Sequence, residues 1–257
     1  MSRKIGTRPL SRRTTRCHLA TIMSQSFDVR YPGAARTSLV DRRARFIVRT
    51  YNHLFGAIVA FAAIEFALFS SGAASVIVRG MLGTSWLLVL GAFMVVSWIS
   101  SHFAQTASSR AAQYAGLSAY VVAESLIFVP LLYIANRFAP GTIQSAGIVT
   151  MLGFGGLSAV AFITRKDFSF LRGALMFGGI LALVAIVAGA LFGFQLGTFF
   201  SVAMVAFAGA AILYDTSNVL HHFPEDRYVA AALQLFSSVA LMFWYVLRLL
   251  MSLQDRN

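Results

Sequence analysis

From Leu171 to Phe194 the chain reads LRGALMFGGILALVAIVAGALFGF, a run whose only charge is Arg172. A helix needs about 20 residues to cross the hydrocarbon core of a bilayer, so this stretch is long enough to span it. Six further apolar stretches flank it: Asn52–Ser70, Gly83–Ser100, Tyr114–Ala135, Thr142–Ile163, Gly197–Asp215 and Tyr228–Leu250. The breaks between them are short, among them Asn136–Gly141, Thr164–Ser169 and Thr216–Arg227. In lipid every backbone polar group must be satisfied internally, and with connections this tight an antiparallel helical bundle is the economical solution. The expected fold is an all-α integral membrane protein, a bundle of seven transmembrane helices. Its least marked boundary is the start of the sixth span, where the turn rests on Gln195 and Gly197 alone.

Composition points the same way. Of 257 residues 58% are apolar and 12% charged, and the mean hydropathy is +0.74. A soluble domain carries roughly 25% charged residues. Five prolines, one cysteine and abundant Phe exclude collagen-like, disulfide-scaffold and disordered classes. The single cysteine, Cys17, also excludes an intramolecular disulfide and a CxxC metal or redox site. HExxH, GxSxG and the glycine-rich nucleotide loops are absent. Aspartyl chemistry needs two carboxylates sharing a proton, and nothing in the sequence brings the deep Glu124 to Asp215. An enzyme is not expected, nor is a cofactor.

The charge is +12, and its distribution carries more information than its sum. Twelve of the 21 basic residues precede Tyr51, opposed only by Asp28 and Asp41. Lys and Arg retained on the cytoplasmic side set orientation. With the N-terminus inside, seventeen basic residues fall on inside segments and four (Arg79, Arg137, Arg248 and Arg256) outside. The expected topology is N-terminus cytoplasmic, C-terminus outside. Residues 1–50 read as a basic, disordered tail, 51–250 as the membrane domain and 251–257 as a short C-terminal tail. Met23 offers an alternative start, while the Arg/Ser/Thr-rich, acid-free Met1–Ile22 also fits an organellar transit peptide. The location is therefore the inner membrane of a bacterium, with a mitochondrial inner membrane kept open by that tail. The basic residues toward Arg49 are placed to lie on anionic headgroups.

Three motifs go further. Thr164–Leu171 reads TRKDFSFL, Ile212–Asn218 reads ILYDTSN, and Arg49–Tyr51 reads RTY. Together they resemble the Bax inhibitor-1 family of seven-helix membrane proteins. The loop and the Thr216–His221 run, TSNVLH, are most similar to its bacterial YccA-like branch. The resemblance covers Arg49 to Leu250 and leaves out the tail. It implies a pH-sensitive cation leak, with Ca²⁺ the usual ion and a pair of carboxylates on the last two helices as sensor. Asp215 matches one of them. The second falls in YVAAALQLFSS, from Tyr228, on Ser238, which departs from the paired-acid pattern. The YccA-like branch resembles this chain in having Ser there, and it is linked with the membrane-anchored protease FtsH. Two functions stay open: a leak gated near Asp215 at the cytoplasmic mouth, or a non-conducting modulator or binding partner of an FtsH-type protease. The leak leads.

Ionisable residues within the spans are Glu65, Glu124, Asp215 and Arg248. Each costs about 2.5–3.5 kcal/mol at a helix centre, so each needs a reason to be there. Asp215 lies near a helix C-terminus, where the macrodipole disfavours an anion and a cation should compensate. Two cationic candidates are near: His102, ending the second span on the same side, and His221–His222, one to two turns beyond Asp215. The expected pairing is with His102, an Asp–His pair changing charge in the range where histidine does. The alternative is a carboxylate solvated at the bundle mouth; Asp215 is also a candidate for transient contact with Ca²⁺. Glu124, in YVVAESLIFVP, precedes Pro130, whose kink would open a cavity. It is either a conduction or proton-relay residue or a neutral packing one.

The remaining polar features read more plainly. Glu65 and Arg248 are expected at the outer interface, and Trp86, Trp98 and Trp244 as interfacial anchors. Lys166–Asp167 reads as a surface ion pair, His221 and His222 as solvated rather than metal-binding. Glycines such as Gly153, Gly155, Gly156, Gly178 and Gly179 read as helix-packing positions.

Overall fold

A computed structural model describes residues 32–106, 109–194 and 196–254. Among these, all regular structure is helical: α1 (Pro32–Ser70), α2 (Ala73–Leu82), α3 (Trp86–Thr106), α4 (Arg110–Phe138), α5 (Thr142–Thr164), α6 (Leu171–Phe192), α7 (Thr198–His221) and α8 (Tyr228–Gln254). Seven of the eight are long and apolar enough to cross a membrane. The seven expected spans are therefore present, and the one added element is α2, ten residues long. It was hidden in the connection around Arg79 and Gly80, and it buries Ala74 and Val78 against Val129.

The expected tail is corrected at its C-terminal part. Helix α1 begins at Pro32, not near residue 51. Proline suits the first helical turn, and no Gly or Pro interrupts Ala34–Phe55. Phe46, Thr50, Leu54 and Ala57 recur at helical spacing and are all buried, so residues 43–50 belong to the bundle despite their arginines. Likewise α8 runs to Gln254, past the expected end of its domain. Met23 and Cys17 lie outside the described residues. The chain divides after Arg42, and the packing that follows is within residues 43–254.

Helix α8 is the central element, packed by α3, α4, α5 and α7. It buries Val229, Ala232, Leu235, Phe236, Val239 and Leu247, which lie on every face. In contrast α6, the stretch that announces the fold, buries no residue at all. Lipid tails are as apolar as leucine, so hydrophobicity alone does not draw a helix inward; small and polar residues do. At mid-bundle Phe128 of α4 packs edge-on against Phe61 at 5.2 Å and Trp244 at 4.9 Å, and stacks on Phe243 at 5.6 Å. Trp244 thus packs inside the bundle, whereas Trp98 is exposed.

Close approach of α3 and α4 depends on Gly116. A Cβ there would sit 2.7 Å from the Ser100 carbonyl oxygen and 3.0 Å from the Ala104 nitrogen. Gly153 touches Met242 and Gly178 touches Phe207, in line with a packing role, but Gly155 and Gly156 have open space where a Cβ would go.

Candidate functional site

The helices alternate in direction, so the two ends of the bundle are distinct. At one end the α5–α6 loop meets the end of α7, through Phe168 N–H donating to Ser217 Oγ at 2.9 Å and Ser217 Oγ donating to the Lys166 carbonyl at 3.3 Å. At the other end Arg248 donates to the Leu196 carbonyl at 3.0 Å. These are called the Asp167 end and the Arg248 end below. The first contact joins two of the sequence motifs, TRKDFSFL and LYDTSN, into one structural unit.

Asp215 is 5% exposed and lies in α7, facing α8. Gln234 Nε2 donates to its Oδ1 at 2.6 Å, and Ser238 Oγ donates to its Oδ2. Gln234 and Ser238 stand one turn apart and therefore share a face of α8. Each carboxyl oxygen thus accepts from a neutral donor on α8. The position where the resemblance placed a second acid thus holds a hydroxyl bonded directly to Asp215.

The expected Asp215–His102 pair is not formed. His102 is exposed and stacks on Trp98, with ring centroids 5.8 Å apart. Being at the same end was insufficient, because α3 packs against α2, α4, α6 and α8 but not α7. The cation near the end of α7 is Arg43, from the segment read as tail. Its guanidinium donates to the carbonyls of Val219 at 2.7 Å, Leu220 at 3.1 Å and Phe223 at 2.5 Å. It thereby meets the orphan carbonyls and the negative end of the helix dipole.

A cavity of about 740 Å³ opens beside this site. Trp86, Leu196 and Arg248 line it toward the Arg248 end, and Tyr120, Glu124 and Ser238 toward the middle of the bundle. Glu124 is 6% exposed, its neighbour Tyr120 reaches both it and Ser237, and its Oε2 has no hydrogen-bond partner. The cavity wall is mostly apolar, but Glu124, Ser237, Ser238 and Arg248 give it a polar track, and water held by those groups would meet that oxygen. Glu124 and Asp215 are connected through Ser238, which lines the cavity with one and bonds the other. Past Asp215, toward the Asp167 end, Ser158 Oγ and Thr216 Oγ1 lie 3.4 Å apart.

Other expected positions differ. Arg248 donates to the Leu196 carbonyl at the cavity mouth. Glu65 is only 7% exposed, with neither carboxyl oxygen hydrogen-bonded. Asp167 pairs with His222 at 3.3 Å and not with Lys166. Its carboxyl is held below the usual carboxylate range, first by the backbone N–H of Ser169 and also by His222. Among the described residues no group of three or more His, Cys, Asp or Glu could hold a metal ion. Sequence reasoning missed Gln234, Tyr120 and Arg43; the i, i+4 spacing of Gln234 and Ser238 in an apolar helix was the available signal for the first.

A sequence profile of the family described as "Inhibitor of apoptosis-promoting Bax1" matches residues 43–255. The chain is 36% identical over 121 residues to an uncharacterized protein of Pseudomonas aeruginosa, covering 46% of this chain and 53% of that one. It is 35% identical over 102 residues to the Escherichia coli protein named "Modulator of FtsH protease YccA", 39% of this chain and 46% of that one. An uncharacterized membrane protein of Vibrio cholerae is 32% identical over 120 residues, 46% and 53% of the two chains. The chain spans about half the length of the curated relatives it matches.

Proposed function

The chain belongs to the Bax inhibitor-1 family, and from that premise we propose that this multi-pass membrane protein is a pH-sensitive cation leak, entered through the cavity and closed at Asp215. The observation that carries the reading is the cavity that ends on Glu124 and Ser238, with Ser238 donating to Asp215 behind it. In this reading the Asp167 end is cytoplasmic, the side the positive-inside rule favours for its basic loops, and the cavity mouth is outside. A relative from Escherichia coli named "Inner membrane protein YccA" supports a bacterial inner membrane.

Closure in this account is the tie between α7 and α8. Two donors converge on one carboxylate, and hydrogen bonds to a charged group are the stronger kind. Protonating Asp215 removes the charge that strengthens both bonds and turns one oxygen into an O–H donor, so the tie weakens at that oxygen. Acid therefore loosens the tie. Glu124 faces the space a cation crosses before reaching it and attracts positive charge there. Ca²⁺ is the ion to test, Asp215 being its transient contact while the tie is open. The role is not catalytic.

The test is Ca²⁺ entry into liposomes carrying the full chain between about pH 6 and 8, the range where histidine also titrates. Asp215→Asn cannot accept at both oxygens at any pH. Entry that rises with acidity in the wild type and is pH-independent in the variant supports the reading. No entry above empty liposomes at any pH refutes it.

A second reading rests on the name of the Escherichia coli relative, Modulator of FtsH protease YccA. In it the bundle is a non-conducting partner of an FtsH-type protease, and the Asp215 tie only fixes the shape of α7 and α8. Co-purification with such a protease, and slower proteolysis of its membrane substrates in the presence of the chain, is the expected result. Unchanged proteolysis and no association would refute it.

A further inference from the structure

A second concavity lies on the outside of the bundle, away from the Asp215 site. It is a groove of about 440 Å³ between α1 and α4. Asn52, Gly56 and Ala60 on α1 and Leu117, Val121 and Val122 on α4 line it. The α1 positions recur every fourth residue, so the groove follows the helix axis from Asn52 to Ile64, about 18 Å at 1.5 Å per residue. One leaflet of a 30 Å hydrocarbon core is about 15 Å deep. A Cβ added at Gly56 would meet nothing within 4 Å, so that glycine is not required by helix packing; its effect is to leave the groove open.

The groove's polar head is at the Asp167 end. His53 Nε2 lies 2.8 Å from the Tyr114 hydroxyl, and that hydroxyl lies 3.4 Å from the Tyr228 hydroxyl. Over the Tyr228 ring stand two guanidinium groups, Arg49 at 5.8 Å and Arg110 at 6.0 Å. Both arginines are exposed, and among the described residues neither forms an ion pair with a carboxylate. Two cations above one apolar slot of leaflet depth complement a ligand with an anionic head and a hydrocarbon tail.

We propose that the α1–α4 groove binds an anionic phospholipid, its phosphate between Arg49 and Arg110 beside His53 and Tyr114, and one acyl chain along Gly56 and Ala60. The inference does not depend on conduction, because the groove shares no residue with the cavity beside Asp215.

Native mass spectrometry of the full chain in detergent, supplied with phosphatidylglycerol or with phosphatidylcholine, tests it. The wild type should retain phosphatidylglycerol in preference by about twenty-five-fold, each of the two arginines contributing roughly a factor of five. The Arg49→Gln/Arg110→Gln variant should lose that preference. Ala60→Phe, which fills the slot and leaves both arginines, should lower retention of both lipids. Arg165→Gln/Lys166→Gln removes two charges at the same end outside the groove and should leave the preference intact. Equal retention of the two lipids by the wild type overturns the proposal. So does a preference that survives loss of Arg49 and Arg110, or one lost equally in the Arg165/Lys166 variant. Size-exclusion and thermal unfolding profiles matching the wild type qualify each variant, and Ala60→Phe tests the slot without touching the charged head.

Discussion

Replacing Ser238 with alanine removes one of the two donors that hold Asp215. Hydrogen bonds to charged groups contribute about 1.5–3 kcal/mol each. Ser238 also lines the cavity, so water can partly replace the lost donor, which favours the lower end of that range. If the Asp215 tie holds the closed arrangement of α7 and α8, the closed-to-open ratio should fall by about ten- to a hundredfold, at 1.36 kcal/mol per decade. The assay is Ca²⁺ entry into liposomes at the alkaline end of the tested range, about pH 8, where the account expects the wild type to be closed. Ser237→Ala is the matched control. Its hydroxyl lies in the same cavity but donates to its own helix, to the Gln234 carbonyl at 2.8 Å, so its entry rate should match the wild type. Entry through the Ser238→Ala protein within twofold of wild type, with unfolding unchanged, would refute the reasoning, because the bond would then not hold the closed state.

Three further outcomes follow from the packing and the loop. Gly116→Ala should destabilise the α3–α4 contact by about 1–3 kcal/mol, since its Cβ meets backbone and not a movable side chain; thermal unfolding in detergent reads this. Arg43→Gln should lose most of the bonding to the Val219, Leu220 and Phe223 carbonyls, costing about 2–3 kcal/mol and raising hydrogen exchange in the last turn of α7. Asp167→Asn should speed hydrogen exchange across 165–170. Because the folded Asp167 carboxyl is held below the ordinary value, its contribution is complete above that ordinary value, about 4. It is lost as pH falls through the lower folded value. The variant and the wild type should therefore differ at neutral pH and converge in strong acid.

The spans were legible because a bilayer imposes a length, and Leu171–Phe194 meets it with a single charge. What length cannot reveal is which helix lies inside. The most apolar stretch became the lipid-facing α6, while α8, with its Gln and serines, became the centre. Residues 43–50 were read as tail because arginine density suggested solvent. The buried stripe Phe46–Thr50–Leu54 was present, but Arg43, Arg45 and Arg49 obscured it. The two motifs marked the right region, although only three-dimensional packing shows that Ser217 ties one to the other. His102 was chosen by side of the membrane, a coarse criterion that cannot tell which helices touch. Gln234 and Ser238, four residues apart on one helix, were the better clue to what faces Asp215.

The account's central claim is that a water-filled cavity reaches the middle of the bundle from one side and stops at the Asp215–Ser238 tie. Labelling Ser237→Cys, in a Cys17→Ser background, with a membrane-impermeant thiol reagent tests it most directly. The account predicts modification from the outer face at neutral pH and none from the cytoplasmic face. A residue unreactive from both faces, or reactive from the cytoplasmic face at neutral pH, would contradict it.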